Sequence, residues 1–353
     1  MDLVIKKFTE IEIEDEFFDS LRESYPEFDR WFAKKAAANE TAYVFYGEEG
    51  KISDFLYLKL ETEAMTDVEP ALPAKKRLKV GTFKLLSRGT RRGERFMKKI
   101  MDCAIAKNVD EIYVTIFPTP ELKYLVNLFE SFGFVHVADK PHGEDHNEWV
   151  LVKDMQTLSG DIVKDYPYIK LGNTSQYLLA IHPDFHTKLF PDSILRNESY
   201  DLVQDITPTN GIYKTYICWM KDTAMLKQGD KVVIYRMNDG QGSAYYRSVA
   251  TSICTVTEIK QFKDFDTLES FLKFTQYSVF LEEDRKYWYQ HKKNFIVIKM
   301  LYNVAFTKRV IRKDLIEQVG ISPDAYWGFC PLSDEQFKKI ISLGKANERY
   351  IVD

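Results

Sequence analysis

The stretch Ser87–Met97 reads SRGTRRGERFM, and it decides how the first half of the chain folds. The preceding run, Leu78–Leu86 (LKVGTFKLL), is typical of a strand, and Glu94–Lys107 carries apolar residues at helical spacing. A strand therefore leads into a helix through a turn that contains Gly89 and Gly93. Glycines let the backbone approach a ligand, and a helix start presents unpaired N–H groups and partial positive charge. These properties suit a phosphate or diphosphate.

The charge around this turn is strongly positive. Between Lys75 and Lys99 there are eleven Lys or Arg residues and one acid, Glu94, although the whole chain carries a net charge of −4. Such a local excess favours a binding site for anions. A solvated helix face is the alternative interpretation, because Lys and Arg are common on helix exteriors.

Arg88-Gly89-Thr90-Arg91-Arg92-Gly93 resembles the diphosphate-binding loop of the GNAT N-acetyltransferases, whose pattern is Arg/Gln-x-x-Gly-x-Gly/Ala at the start of the central helix. The following strand, Glu111–Phe117, and the segment Phe129–Phe134 (FESFGF) are also similar to the family, which has Tyr-Glu-x-x-Gly-Phe there. The resemblance covers residues 1–155 and implies a mixed sheet with helices that binds acetyl-CoA. It assigns the cofactor contacts to Phe83, Leu85, Arg88, Gly89, Thr90, Arg91, Arg92 and Gly93.

The family's mechanism, direct attack of an amine on the thioester, needs an acid and a base from this chain. Many members carry a tyrosine that protonates the departing thiolate, but this chain has Phe129 at that position, which cannot donate a proton. Tyr124 is the candidate acid instead, although five residues turn a helix by about 500° and bring it to another face. Glu61 and Glu63 are candidate bases, and ordinary surface carboxylates are the alternative interpretation of both.

Composition limits the other classes of function. The chain has 353 residues and 45% hydrophobic content, which is enough for two ordinary domains. No basic segment followed by an apolar core begins the sequence, and no run approaches the ~20 apolar residues of a membrane span. We therefore predict a cytoplasmic protein with no membrane partner.

The sequence predicts no metal site. Its four cysteines are far apart and form no Cys-x-x-Cys pair. His142 and His146 have the spacing of metal ligands on a helix, but the neighbouring proline and glycine favour a loop. The motif His182–His186 (HPDFH) follows a predicted strand beside a proline, and this context disfavours a metal or catalytic role for it.

Residues 156–165 form the predicted linker to a second domain, residues 166–353. Segments rich in β-branched and aromatic residues are predicted to be strands in it: Tyr177–Ile181, Ile212–Met220, Lys231–Arg236, Ser248–Ile259 and Phe295–Leu301. Asp239-Gly240 predicts a hairpin turn, and Leu268–Phe274 and Asp334–Leu343 are predicted helices. This pattern predicts a small mixed β-barrel with helices.

Leu226–Arg236 (LKQGDKVVIYR) resembles the strand entry of the PUA-like superfamily, which includes ASCH and EVE domains. The ASCH pattern Gly-x-Lys-x-x-Glu-x-Arg is not reproduced around Gly211. The resemblance implies binding of RNA, or of modified bases in DNA, in a cleft of aromatic and basic side chains where bases stack. It assigns that cleft to Lys214, Trp219, Tyr235 and Arg236. The alternative interpretation of the two aromatic residues is that they pack in the core. The alternative for the two basic residues is that they lie on the solvated surface.

Two functions from different classes follow. The first is an acetyl-CoA-dependent N-acetyltransferase that acts on an RNA-linked or translation-associated amine, which the second domain delivers. The alternative is a non-catalytic protein that binds acyl-CoA or nucleic acid, and Phe129 keeps this alternative open.

Overall fold

The computed structural model describes residues 3–47, 50–86, 91–142, 146–172, 174–190 and 211–352. The chain divides into two compact units, Met1–Lys164 and Asp165–Asp353. Arg88, Gly89 and Thr90 lie outside the described residues, so their predicted contacts stay predictions.

The first unit is built on a seven-stranded mixed sheet in the order β1-β2-β3-β4-β5-β7-β6. Its strands are β1 (Leu3–Lys7), β2 (Thr41–Tyr46), β3 (Ile52–Glu61), β4 (Arg77–Leu85), β5 (Glu111–Ile116), β6 (Val135–His142) and β7 (His146–Asp154). Its helices are α1 (Asp19–Ser24), α2 (Phe28–Ala37), α3 (Arg92–Lys107) and α4 (Lys123–Ser131). Only β4 and β5 pair in parallel, and the other neighbours are antiparallel.

Helix α3 forms where the apolar periodicity predicts a helix, and it begins two residues earlier, at Arg92. Its buried side chains, among them Phe96 and Ile100, recur every three to four residues and therefore cover one face. The helix ends at Lys107 and is capped by Asn108, which adopts a left-handed conformation with φ of 51°.

Side chains alternate between the two faces of this sheet. On one face, Phe55 of β3 packs in a cluster with Phe8 and with Phe28 and Phe32 of α2. On the other face, Phe83 of β4 contacts residues of α3 and α4. The sheet therefore lies between two helical layers.

The second unit contains a six-stranded sheet in the order β10-β13-β12-β11-β9-β14 and the two-stranded pair β8 and β15. Its strands are β8 (Ile169–Lys170), β9 (Gln176–Ile181), β10 (Tyr213–Cys218), β11 (Lys231–Arg236), β12 (Val249–Gln261), β13 (Ile296–Ile311), β14 (Phe329–Leu332) and β15 (Ile351–Val352). Its helices are α5 (Pro183–Leu189), α6 (Ala244–Arg247), α7 (Leu268–Phe274), α8 (Glu282–His291), α9 (Arg312–Glu317) and α10 (Asp334–Leu343). The predicted mixed α/β class is confirmed, and closure of the larger sheet into a barrel stays a prediction.

The connection between β11 and β12 differs from the predicted tight hairpin. The two strands pair antiparallel, but residues 237–248 between them include helix α6. Asp239 accepts a hydrogen bond from Nε of Arg247 at 2.7 Å, so an ion pair closes this longer loop. Gly240 has a positive φ of 79°, as a turn glycine does.

Within the described ranges, none of the helices is both long enough and apolar enough to span a membrane.

Candidate functional site

Strands β4 and β5 separate partway along their length. They pair in parallel at four positions, of which Val80–Val114 is the last. Beyond this pair, β4 continues to Leu85 and β5 to Ile116 without pairing to each other in the register. The carboxyl-terminal ends of two adjacent parallel strands therefore flank a gap in the middle of the sheet.

A bulge marks the point of separation. Tyr57 of β3 opposes Thr82 and Leu58 opposes Val80, so Gly81 has no partner in the β3–β4 ladder. A Cβ at Gly81 would lie 2.7 Å from Cδ1 of Tyr57, so a glycine is required for this close approach. The sequence analysis missed Gly81, because a single glycine within a strand does not show where the neighbouring strand diverges.

Arg91 and Arg92, at the start of α3, are both paired with acids. Nε of Arg91 lies 2.7 Å from Oε1 of Glu94. Nη1 of Arg92 lies 2.8 Å from Oδ2 of Asp54, a completely buried residue of β3. Burial raises the pKa of Asp54 above its ordinary value, although the Arg92 guanidinium opposes this shift. Arg92 therefore ties the start of α3 to β3.

Gly93, at the start of α3, lies close to Leu85 of β4 and to Leu128 of α4. Gly93 is buried, and a Cβ on it would lie 2.9 Å from Cδ2 of Leu128 on α4 and 3.3 Å from Cδ1 of Leu85. A larger residue at this position would force the Leu128 side chain to shift, so Gly93 allows the close approach of the two helices.

The site of the family tyrosine is part of the core. Phe129 is fully buried, and its ring lies 5.4 Å from that of Phe83 and 4.9 Å from that of Phe134. Phe83 also contacts Phe96 of α3, at 5.4 Å between ring centroids. Tyr124 lies in the first turn of α4, with 44% of its surface exposed. Phe83 is therefore both a packing residue of the helical layer and a part of the strand beside the gap.

The two candidate bases have different surroundings. Glu61 is half-buried at the end of β3 and accepts hydrogen bonds from the Tyr113 hydroxyl and from Nζ of Lys59 at 2.8 Å. Burial alone would raise the pKa of Glu61, but these two hydrogen bonds lower it below its ordinary value. Glu63 is exposed.

A second tyrosine–glutamate pair, which the sequence analysis missed, lies at the open end of the gap. Tyr25, between α1 and α2, donates from its hydroxyl to Oε1 of Glu148 on β7 at 2.7 Å. Phe117 and His142 complete this group, with ring centroids 5.2 to 5.8 Å apart. No local motif links these residues, because four separate segments contribute them.

The structure places the four predicted nucleic-acid contacts of the second unit in different surroundings. Lys214, Tyr235 and Arg236 are buried, at 2 to 5% exposure, whereas Trp219 is 41% exposed. Nζ of Lys214 lies 5.2 Å from the centroid of the Tyr302 ring. The four residues therefore do not form one exposed cleft, and their assignment to nucleic acid stays a prediction.

Basic residues of the second unit lie around a buried histidine. Nε2 of His186, on α5, lies 2.8 Å from Oγ1 of Thr251, and the residue is 1% exposed. Burial, followed by the charges of Arg236 and Arg309, lowers the pKa of His186 to about 3. This histidine is therefore neutral near pH 7 and sits in a positive environment.

The described residues contain no group of three His, Cys, Asp or Glu side chains that could hold a metal ion. His142 lies at the end of β6, and the side chain of His146 is outside the described part of the chain.

Comparison with known proteins gives structural likenesses alone. No family model and no curated protein matches the chain. Similar solved structures include ASCH from Zymomonas mobilis, at 11% identity and a TM-score of 0.31, covering 48% of this chain and 95% of that one. They also include Arabidopsis thaliana NAA60 in complex with acetyl-CoA, at 10% identity and a TM-score of 0.32, covering 43% of this chain and 99% of that one.

A third similar structure is the NatC complex bound to Gag peptide and CoA, at 17% identity and a TM-score of 0.30, covering 43% of this chain and 98% of that one. Likenesses at these scores carry no argument about function, which therefore rests on the geometry above. The solved structures similar to this chain include both ASCH proteins and N-acetyltransferases, the two kinds of protein that its two halves resemble in sequence.

Proposed function

We propose that the first unit is an acetyl-CoA-dependent N-acetyltransferase. The observation that carries this proposal is the separation of β4 from β5 after Val80 and Val114, with the bulge at Gly81 beside it. Where the two strand edges do not pair with each other, main-chain N–H and C=O groups can bind an extended arm that contains amides. The pantetheine of acetyl-CoA is such an arm. Thr82 and Thr115, both partly exposed, lie on the two strands beyond the last pair.

The start of α3 is the proposed site of the cofactor's diphosphate. Helix α3 is the next element after β4 in the chain, so its first N–H groups lie at the same end of the sheet as the gap. The basic excess between Lys75 and Lys99 adds favourable charge. Because Arg92 is held by Asp54, we assign the main side-chain contact to Arg88, with Gly89 and Thr90 contributing backbone contacts.

The chemistry at the gap is acyl transfer to an amine. A thiolate is a better leaving group than an alkoxide, so the buried Phe129 does not prevent the reaction. Tyr124 remains the proposed acid on α4, and its exposure is consistent with access to a bound thioester.

We further propose that the second unit binds the molecule that carries the acceptor, an RNA or a modified nucleic acid. The exposed indole of Trp219, which offers a stacking surface, supports this proposal. Titration of a labelled tRNA with the full-length protein tests this part, and absence of binding contradicts it. In the alternative function, the protein binds acyl-CoA without turning it over, and the buried Phe129 favours this alternative.

Calorimetric titration with acetyl-CoA tests the proposal. Arg88→Ala should weaken binding at least tenfold, because a charge-assisted hydrogen bond contributes about 1.5–3 kcal/mol. The matched control is Lys99→Ala, which removes the same charge from the second turn of α3 and should change the affinity less than twofold. No binding by the wild-type protein, or equal effects of the two substitutions, contradicts the proposed cofactor site.

Release of free thiol from acetyl-CoA in the presence of amines then separates the enzyme from the binding protein. An enzyme releases thiol in proportion to the amide formed. Binding without amine-dependent release of thiol favours the non-catalytic alternative.

A further inference from the structure

The pair formed by Tyr25 and Glu148 lies near the carboxyl end of β5, one of the two strands that flank the gap. Trp149 of β7 opposes Ile116, the last residue of β5, so Glu148 stands level with the carboxyl end of β5. Glu148, Val150 and Val152 point to the same face of β7, because side chains two residues apart share a face. Val150 and Val152 pack against Tyr113 there, on the face opposite α3. Cofactor binding at α3 would therefore place the diphosphate on one face and leave Glu148 on the other.

Glu148 is a buried carboxylate, at 4% exposure. The Tyr25 hydroxyl donates to its Oε1, and burial raises the pKa of Tyr25, so this hydroxyl remains a proton donor at neutral pH. Lys140 lies opposite Glu148 on β6, but its Nζ pairs with Asp67 at 2.7 Å. The neutral Tyr25 hydroxyl therefore orients one carboxylate oxygen of Glu148. The facing residue, Lys140, forms its ion pair with Asp67.

Tyr25, whose hydroxyl contacts this carboxylate, packs its ring against two other aromatic rings. The Tyr25 ring lies 5.8 Å from Phe117 and 5.6 Å from His142, and the latter two rings are 5.2 Å apart. Ring faces and a buried carboxylate both attract cations, and a carboxylate that accepts N–H hydrogen bonds favours an ammonium over a quaternary cation. The chemistry of the group therefore matches a primary ammonium.

We propose that Glu148 binds the primary ammonium group of the acceptor and serves as the general base for its acylation, with Tyr25 as the positioning residue. This assignment rests on the proposed acetyl-CoA-dependent function. Glu148 takes one proton from the ammonium, and the neutral amine attacks the thioester carbonyl. The N–C bond forms and the C–S bond breaks. The nitrogen then loses its second proton to water as the amide forms, and the sulfur leaves as a thiolate that takes up one proton to give free thiol. Each acylation therefore releases one proton overall.

Kinetics with n-butylamine as the acceptor probe test the assignment. Glu148→Gln should lower kcat/KM for n-butylamine about 100-fold, within the usual range for loss of a general base, and leave the Kd for acetyl-CoA unchanged. Tyr25→Phe should lower kcat about tenfold, again with the acetyl-CoA Kd unchanged, since it releases the carboxylate without removing it.

Glu40→Gln is the matched control. Glu40 accepts a hydrogen bond from the hydroxyl of Tyr57 on β3, so this variant changes a similar tyrosine–glutamate pair away from the carboxyl end of β5. It should retain wild-type kcat/KM within threefold. Melting temperatures of all three variants show whether a loss reflects unfolding.

The outcomes distinguish this inference from the proposed function. Wild-type turnover combined with a Glu148→Gln variant within threefold of wild type overturns the role of Glu148 and leaves the acetyltransferase function standing. A wild-type protein that binds acetyl-CoA but does not acylate n-butylamine overturns the primary-ammonium site. A wild-type protein that does not bind acetyl-CoA overturns both proposals.

Discussion

The two units gather positive charge in opposite ways. In the first unit, basic residues are clustered in sequence between Lys75 and Lys99, and Arg91 and Arg92 are paired with Glu94 and Asp54. In the second unit, Arg236 and Arg309 are distant in sequence and meet around a buried histidine. The difference teaches that a run of basic residues in a sequence does not show which of them form structural ion pairs. Basic residues that only folding brings together, such as Arg236 and Arg309, form no run in the sequence.

The largest effect should follow from breaking the structural arginine pair of the first unit. Asp54→Ala leaves Arg92 without its buried partner and should destabilise this unit by about 3–5 kcal/mol, as removal of one member of a buried pair does. Chemical denaturation of the full-length protein measures this change.

Asp29→Ala is the control for this prediction. Asp29 pairs with Arg22 at 2.9 Å but is 62% exposed, so its loss should cost about 1 kcal/mol or less. Equal destabilisation by the two substitutions would show that the Arg92–Asp54 pair stabilises the protein no more than an exposed ion pair does.

A smaller effect should appear in the second unit as a dependence of stability on pH. The pKa of His186 is about 3 in the folded protein, below its ordinary value near 6.5, so the unfolded chain binds a proton first as the pH falls. The neutral His186 therefore makes its full contribution to the free energy of unfolding above pH 6.5. Below pH 6.5 this contribution declines by up to about 1.4 kcal/mol per pH unit, until the pKa of the folded state is reached.

Hydrogen exchange of the β12 amides at pH 6.5 and pH 5.0 measures this decline, after correction for the intrinsic exchange rates. In His186→Gln, which retains a donor toward Thr251, the decline should be smaller by about 2 kcal/mol over this interval. An identical decline in both proteins would mean that His186 is protonated in the folded state.

The sequence predicts most of the local structure in both units. Strands such as Lys231–Arg236 and helices such as Asp334–Leu343 form within the predicted bounds, because hydrophobic periodicity and capping residues act over a few neighbours. Helix α8 was missed because its sequence, EEDRKYWYQH, has only weak amphipathic spacing. The connection at Asp239-Gly240 differs because the ion pair to Arg247 stabilises a longer loop than a two-residue turn.

The candidate site was predicted less completely. The motif Arg88–Gly93 is a local feature of the sequence, so its glycines and arginines were visible without the fold. The commitment of Arg92 to Asp54, the bulge at Gly81 and the pairing of Tyr25 with Glu148 depend on contacts between distant segments. These features follow from strand register, which one sequence without its fold does not specify.

A crystal structure of the full-length protein with coenzyme A tests the central claim most directly. The account predicts the diphosphate at the start of α3 and the pantetheine arm between β4 and β5, passing Gly81 with its sulfur toward the face that carries Glu148. Coenzyme bound elsewhere, or a gap filled by side chains with coenzyme excluded at saturating concentration, would contradict the account.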